Sequence, residues 1–309
     1  MKLSRRVLLQ AAKSRWLREH APHYGFFRRT SERFLPGETP EQALAAAQTL
    51  AESGVGAILT HLGENITDAV QAEAVVAHYL GVLERIRSTG LEAELSVKLT
   101  QLGIDFDRDL CLAHVSTLAS RMPPGKLLWI DMESAAYTDL TIDVFRRARA
   151  NHANLGICVQ AYLYRTEQDV ARLIETGAAI RLVKGAYNEP SEIAFPWKPD
   201  VDENFFVLAQ ALLSPAARRA GVRAAIGTHD RTLIERIISW ARSQGIAKDR
   251  LEFQMLYGIQ RAEQLRLVRE GYRSAVLINY GTYWFPWFMR RMAERPANVM
   301  FLAGNLFAR

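Results

Sequence analysis

The sequence predicts an α/β protein folded as an eight-fold parallel barrel, the (βα)8 or TIM-type arrangement. Three observations predict it. Eight short apolar runs recur along the chain, most of them ending in residues capable of chemistry. The seven intervals between them are each long enough for a crossover helix, and most carry helical periodicity. Finally, 309 residues with 49% hydrophobic content can bury one large core, and barrels of about 250 residues commonly form a single domain. In such a barrel the strand ends meet at one mouth, so residues distant in sequence share a site.

Residues 1–40 read as a helical extension, with two helices before residue 36. SRRVLLQAA (4–12) sets two arginines before an apolar run, as an export signal does. Lys13, Arg15, Arg18 and Glu19 interrupt it before an apolar stretch of about 7–15 residues can form, which leaves an amphipathic helix. TSERFLPGETP (30–40) has the turn residues of a hinge. PEQALAAAQTLAES (40–53) then repeats apolar positions at three- and four-residue steps and leads into the first strand, GAILTHLG (56–63). The same period runs through 65–88 before AELSVKLT (93–100). LLWIDMES (127–134) is the third strand, followed by a helix at 138–150 and by LGICVQAY (155–162). Helices over 166–177, 202–219, 230–244 and 260–270 alternate with AIRLVKGAY (179–187), RAAIGTHD (223–230), LEFQMLYG (251–258) and AVLINYG (275–281). This alternation predicts right-handed βαβ units and a parallel sheet.

Composition narrows the function classes. A net charge of +6 permits nucleic-acid binding, but the basic residues are dispersed among acids as on solvated helix faces, and no zinc spacing or RNA-binding signature accompanies them. Cys111 and Cys158 have neither metal-ligand spacing nor the density of a disulfide framework, which points to a reducing, cytoplasmic compartment. No stretch approaches the roughly 18 apolar residues of a membrane span.

The strand ends carry the chemistry. In the second strand Glu94, Ser96, Lys98 and Thr100 alternate with apolar residues, so they share one face. A barrel interior is normally apolar, and a lysine at a polar mouth suits an anion better than solvent. Asp131 and Glu133 share a face of the third strand by the same period. Paired carboxylates serve acid/base chemistry or hold a divalent metal, yet only His229 and Asp230 stand near as further ligands, so no metal is expected and Asp131 reads as an ion-pair partner for nearby cations. Arg181 and Lys184, three residues apart, cannot both face inward on an ideal strand, but Lys184 falls at the strand end and Gly185 allows a close approach to a ligand. That cluster fits the floor of a phosphate or cofactor site, and equally a Schiff-base lysine. In the last segment four aromatics in the five residues 283–287 precede Arg290 and Arg291. Adjacent helical arginines diverge by about 100°, so they reach one ligand only when its carboxylate lies between them. Pairing of Arg290 with Glu294 on a solvated face is the plain alternative.

Taken together, SVKLT, IDMES, VQAY, RLVKGAY, GTHD, EFQMLYG and YG…RRMAERPAN, in order over nearly the whole chain, resemble the bacterial monofunctional proline dehydrogenases. The resemblance implies an FAD-bearing barrel whose eighth helix sits over the mouth, oxidising L-proline to 1-pyrroline-5-carboxylate on the way to glutamate. It also implies a quinone electron acceptor and hence peripheral contact with the cytoplasmic membrane face, for which the helix at 1–20 is the candidate anchor. By position, Lys98, Arg290 and Arg291 match the cations that bind the proline carboxylate. Asp131 and Arg181 match the acidic and basic residues beside the reaction centre. Met132, Gln160, Lys184, Gly185, Ala186, Thr228, His229 and Gln254 match flavin-contacting positions, and Tyr187, Leu256 and Tyr280 match the lining of the substrate pocket. One departure stands out: Leu277 occupies a position where many relatives have tyrosine, which opens hydroxyproline or another cyclic amino acid as the alternative substrate. A Schiff-base lyase using Lys98 or Lys184 is the remaining enzymatic alternative.

Overall fold

The computed structural model describes Ser14, residues 33–63 and residues 66–294, the last five of these without their side chains. The expected N-terminal helices, with the segment 1–20 apart from Ser14, and residues 30–32 of the hinge lie outside the described residues.

Eight parallel strands close a barrel in sequence order: β1 (Gly56–His61), β2 (Ala93–Val97), β3 (Leu128–Ile130), β4 (Leu155–Gln160), β5 (Ala179–Val183), β6 (Arg223–Gly227), β7 (Glu252–Leu256) and β8 (Arg273–Tyr280). Closure comes from β1 pairing with β8, from Gly56 opposite Ala275 to His61 opposite Tyr280. The helices are α1 (Pro40–Ala51), α2 (Ala69–Thr89), α3 (Arg108–Arg121), α4 (Thr138–Arg149), α5 (Thr166–Glu175), α6 (Lys198–Leu212), α7 (Pro215–Ala220), α8 (Arg231–Ser243), α9 (Arg261–Arg269) and α10 (Trp284–Glu294).

Local chemistry sets the boundaries. Thr39 and Gln42 form a reciprocal capping box at the start of α1, with Pro40 in its first turn. Asp68 caps α2, so this helix begins later than its apolar period suggests, and Gly90 ends it at φ 67°. The expected helix over 202–219 is two helices, because Ser214 caps a new start at Pro215. The crossover α3 had no counterpart in the sequence reading.

Strand alternation sorts the side chains into two regions. Leu59, Leu95, Ile130, Leu182, Phe253 and Ile278 face the helices in the main core. Ile58, Trp129, Ala179, Ala225 and Ala275 pack together inside the barrel. The small residues there are a packing requirement. Trp129 is fully buried, and a Cβ on Gly156, its neighbour in register on β4, would lie 2.4 Å from the indole.

Helix α1 packs against β1 and β8, the flank an eighth crossover helix would cover. Helix α10 is thereby displaced onto the rim. Its Trp284, Phe285 and Phe288 join Phe34, Leu35 and Leu62, with Leu256 and Ile259 against them. Leu62 follows β1 and Leu256 ends β7, so this aromatic cluster caps the C-terminal mouth on one side.

Candidate active site

Inward positions on β2, β5 and β7 converge with Asp131 just beyond β3. Asp131 Oδ1 accepts from Ser96 Oγ at 2.7 Å and from Arg181 Nη1 at 2.9 Å. Lys98 Nζ lies 3.8 Å from Oδ2. One carboxylate therefore orders both cations, as expected for a pair that leaves neither charge uncompensated. Arg181, 3% exposed, also donates from Nε to Gln254 Oε1 at 2.6 Å and from Nη1 to Ser96 Oγ at 3.0 Å. Its guanidinium stands 4.5 Å from the Trp129 ring centroid. Its Nη2 is buried with no partner among the described residues.

The neighbouring strand ends continue this surface. Glu133 accepts from the Thr100 backbone N–H at 3.2 Å and from Thr100 Oγ1 at 2.8 Å. Burial raises its carboxyl pKa despite the opposing charge of Lys98 and the bonds from Thr100. Gln160 Nε2 donates to the carbonyls of Met132 and Glu133, at 3.0 and 2.9 Å. These bonds fix its amide, and its Oε1 is left buried without a partner among the described residues.

Lys184 stands just beyond the end of β5, at the mouth. Its Nζ donates to Asp202 at 2.5 Å and to Asp230 at 2.9 Å, and Lys198 bridges the same two carboxylates. Burial works to raise the Asp230 pKa, but Lys184 and Lys198 outweigh it and hold it at about 2. Gly185 has φ 116°, and a Cβ there would fall 2.2 Å from the Tyr162 ring; glycine is needed for that packing. Ala186 and Tyr187 are half-buried beyond it, Tyr187 against the Tyr162 cluster. Thr228 Oγ1 accepts from the Asp230 N–H at 3.1 Å. The Leu256 N–H donates to His229 Nε2 at 2.9 Å, so that nitrogen is an acceptor and the ring proton sits on Nδ1. Gln254 is buried beneath Arg181.

Tyr280 is a correction. Three residues from the inward Leu277, it faces the helices: it is fully buried in the outer core and its hydroxyl lies 2.8 Å from His78 Nε2 on α2. It does not line the mouth. The side chains of Arg290, Arg291 and Glu294 lie outside the described residues. Sequence reading missed Trp129, although it sits two residues before Asp131 and therefore on the same face. It also missed Arg223 and Glu252, which open β6 and β7 where charge reads as solvated.

A parallel (βα)8 barrel with an ion-paired, partly unsatisfied mouth defines an enzyme of the barrel class. Residues 43–304 match the family model described as proline dehydrogenase. The chain is 35% identical over 303 residues to proline dehydrogenase 2 of Bacillus subtilis subsp. natto, covering 97% of each. It is 35% identical over 282 residues to the proline dehydrogenase of Deinococcus radiodurans, covering 89% of each. Among solved structures, proline utilization A from Bdellovibrio bacteriovorus inactivated by N-propargylglycine superposes with a TM-score of 0.81 at 24% identity, over 91% of this chain and 34% of that one. The chain belongs to the proline dehydrogenase family, and proline oxidation is its activity.

Proposed function

We propose that the protein oxidises L-proline to 1-pyrroline-5-carboxylate using FAD held in the barrel mouth, the first step of proline catabolism to glutamate, and that the electrons leave to a quinone. The observation that carries this reading is the pair of buried, unpartnered atoms on adjacent strands, the Arg181 Nη2 donor and the Gln160 Oε1 acceptor. Each such atom costs about 1–3 kcal/mol unless something pairs it. A flavin ring, whose edge both accepts and donates hydrogen bonds, is chemically suited to both.

Bound FAD supplies an acceptor for the hydride on the carbon beside the ring nitrogen, a role no side chain can take. The protein's own residues place and polarise. Lys98, with Arg290 and Arg291, would clamp the substrate carboxylate and fix the ring's orientation. Asp131 keeps Lys98 and Arg181 ordered, and Arg181 would offer positive charge to a bound flavin. Met132 and Gln160 would hold the cofactor on one side, and Lys184, Gly185, Ala186, Thr228 and His229 on the other, with Gln254 acting from beneath. Aromatic residues of α10 exclude water from the rim. Water takes the amine proton.

Lys98 and Lys184 both face carboxylates, whereas a Schiff-base nucleophile needs a desolvated, uncharged amine. Among the described residues no helix is long and apolar enough to cross a membrane, so quinone access calls for peripheral contact with the cytoplasmic membrane face. A second reading, oxidation of a hydroxylated proline, is favoured by one observation. Leu277 packs inside the barrel, and at the next inward position of β8 Asn279 Nδ2 is buried without a partner among the described residues.

Purified protein should be yellow and bleach when proline is added anaerobically. A colourless protein, or a flavin spectrum indifferent to proline, overturns the first reading. Faster bleaching with 4-hydroxyproline than with proline establishes the second.

A further inference from the structure

Beneath the mouth, the barrel interior holds a closed ring of polar contacts of which Arg181 is one member. Gln254 accepts from Arg181 and donates from Nε2 to Glu252 Oε1 at 2.7 Å. Glu252 accepts from Arg223 Nε at 2.8 Å and Nη2 at 2.9 Å. Arg223 Nη1 donates to Glu94 Oε1 at 2.5 Å, and Glu94 Oε2 accepts the Trp129 indole N–H at 2.7 Å. Trp129 closes the ring, with Arg181 4.5 Å and Arg223 5.5 Å from its ring centroid. Glu94, Glu252, Gln254 and Trp129 are at most 7% exposed.

The direction of each bond is fixed by chemistry. A guanidinium cannot accept and a carboxylate cannot donate, so Gln254 must turn Oε1 to Arg181 and its amide nitrogen to Glu252. The orientation of Gln254 is thus dictated from below by Glu252, which Arg223 holds as a carboxylate. The two acids and two arginines of the ring cancel in charge. Arg181 therefore has Nε and Nη1 committed and its guanidinium placed over the Trp129 ring, and of its three nitrogens Nη2 is left over.

We propose that Gln254 and Trp129 are positioning residues for proline oxidation: they lock the Arg181 guanidinium so that Nη2 is presented to the mouth. The inference rests on the reading that a flavin occupies that mouth. A free arginine side chain has rotamer entropy to lose on binding; the ring removes that cost before ligand arrives and holds the positive charge in place. Gln254 acts through hydrogen bonding and Trp129 through stacking, so the two can be separated by substitution.

The test uses the flavin-loaded protein and two variants. Gln254→Met removes both amide bonds at similar volume, and Trp129→Phe keeps a ring under Arg181 while deleting the N–H to Glu94. Gln254→Met is expected to lower kcat about tenfold with KM for proline changed less than about twofold. It should also lower the flavin midpoint potential by about 30 mV, the two-electron equivalent of a tenfold loss in stabilising the reduced form. Trp129→Phe should retain most of both, as the conservative rescue. If Gln254→Met does not fold, Trp129→Leu, which deletes the stack, is expected to show the same two losses. Yellow variants with parental potential and kcat overturn the positioning role while leaving the flavin reading intact. A colourless parent protein overturns both.

Discussion

The mouth and the floor of this barrel are both charged clusters on inward strand positions, yet they differ in one respect. In the floor, Glu94, Arg223, Glu252 and Gln254 leave no buried side-chain nitrogen or oxygen without a partner. In the mouth, Arg181 Nη2 and Gln160 Oε1 have none among the described residues. A buried polar group without a partner is destabilising, and these two stand on adjacent strands at the mouth, where a ligand can pair both. The contrast separates charge that holds the protein together from charge that awaits a ligand.

The strongest way to break the contrast is at the floor. Arg223→Met leaves Glu94 buried without its cation and Glu252 with Arg273 alone, at 3.3 Å, and unfolding free energy by urea titration should fall by about 3–5 kcal/mol. Burial works to raise the Glu252 pKa, but Arg223, with Arg273 and Gln254, outweighs it and holds it low; the variant loses that support. A loss below about 1 kcal/mol would mean the ring contributes little to the fold. A smaller effect is expected at Leu277, which packs with the Trp129 cluster between the two layers. Leu277→Tyr should shift the proline to 4-hydroxyproline preference about tenfold, or ~1.4 kcal/mol. An unchanged ratio of kcat/KM values removes this position from specificity.

Much of this was legible beforehand for a physical reason. Strands of a parallel barrel are buried on both faces, so they appear as continuous apolar runs whose ends are marked by polar residues. Lys98, Asp131 and Arg181 stood out because charge interrupts those runs. Helix α3 was hidden because its buried stripe, Cys111, His114, Val115, Leu118 and Ala119, includes a histidine bonded to the Leu102 carbonyl, while Leu110 and Leu112 sit off it. Tyr280 was misplaced although strand parity excludes it from the face of Leu277. The floor was legible only in fragments: Glu94 stood on the inward face of β2 and Gln254 was named, but Glu94 and Arg223 are 129 residues apart, and only barrel closure brings them into one layer.

Acid offers the gentlest probe, because Glu133 in the mouth and Glu252 in the floor respond with opposite sign. Glu133 in the mouth has a raised pKa, chiefly from burial. On acidification the folded chain takes up this proton before the unfolded chain does, so this group's contribution to stability rises as pH falls from the folded pKa to the unfolded value near 4.3. Glu252 in the floor is held low. Its contribution is complete above the unfolded value and is lost as pH falls through the folded pKa. Glu133 therefore takes up its proton at a higher pH than Glu252 does. The acid limb of kcat/KM should lie above the acid unfolding transition followed by circular dichroism. Glu133→Gln should move the activity limb and leave the unfolding midpoint nearly in place. Coincident limbs in the parent protein would show that loss of activity merely reports loss of the fold, and that mouth and floor titrate as one unit.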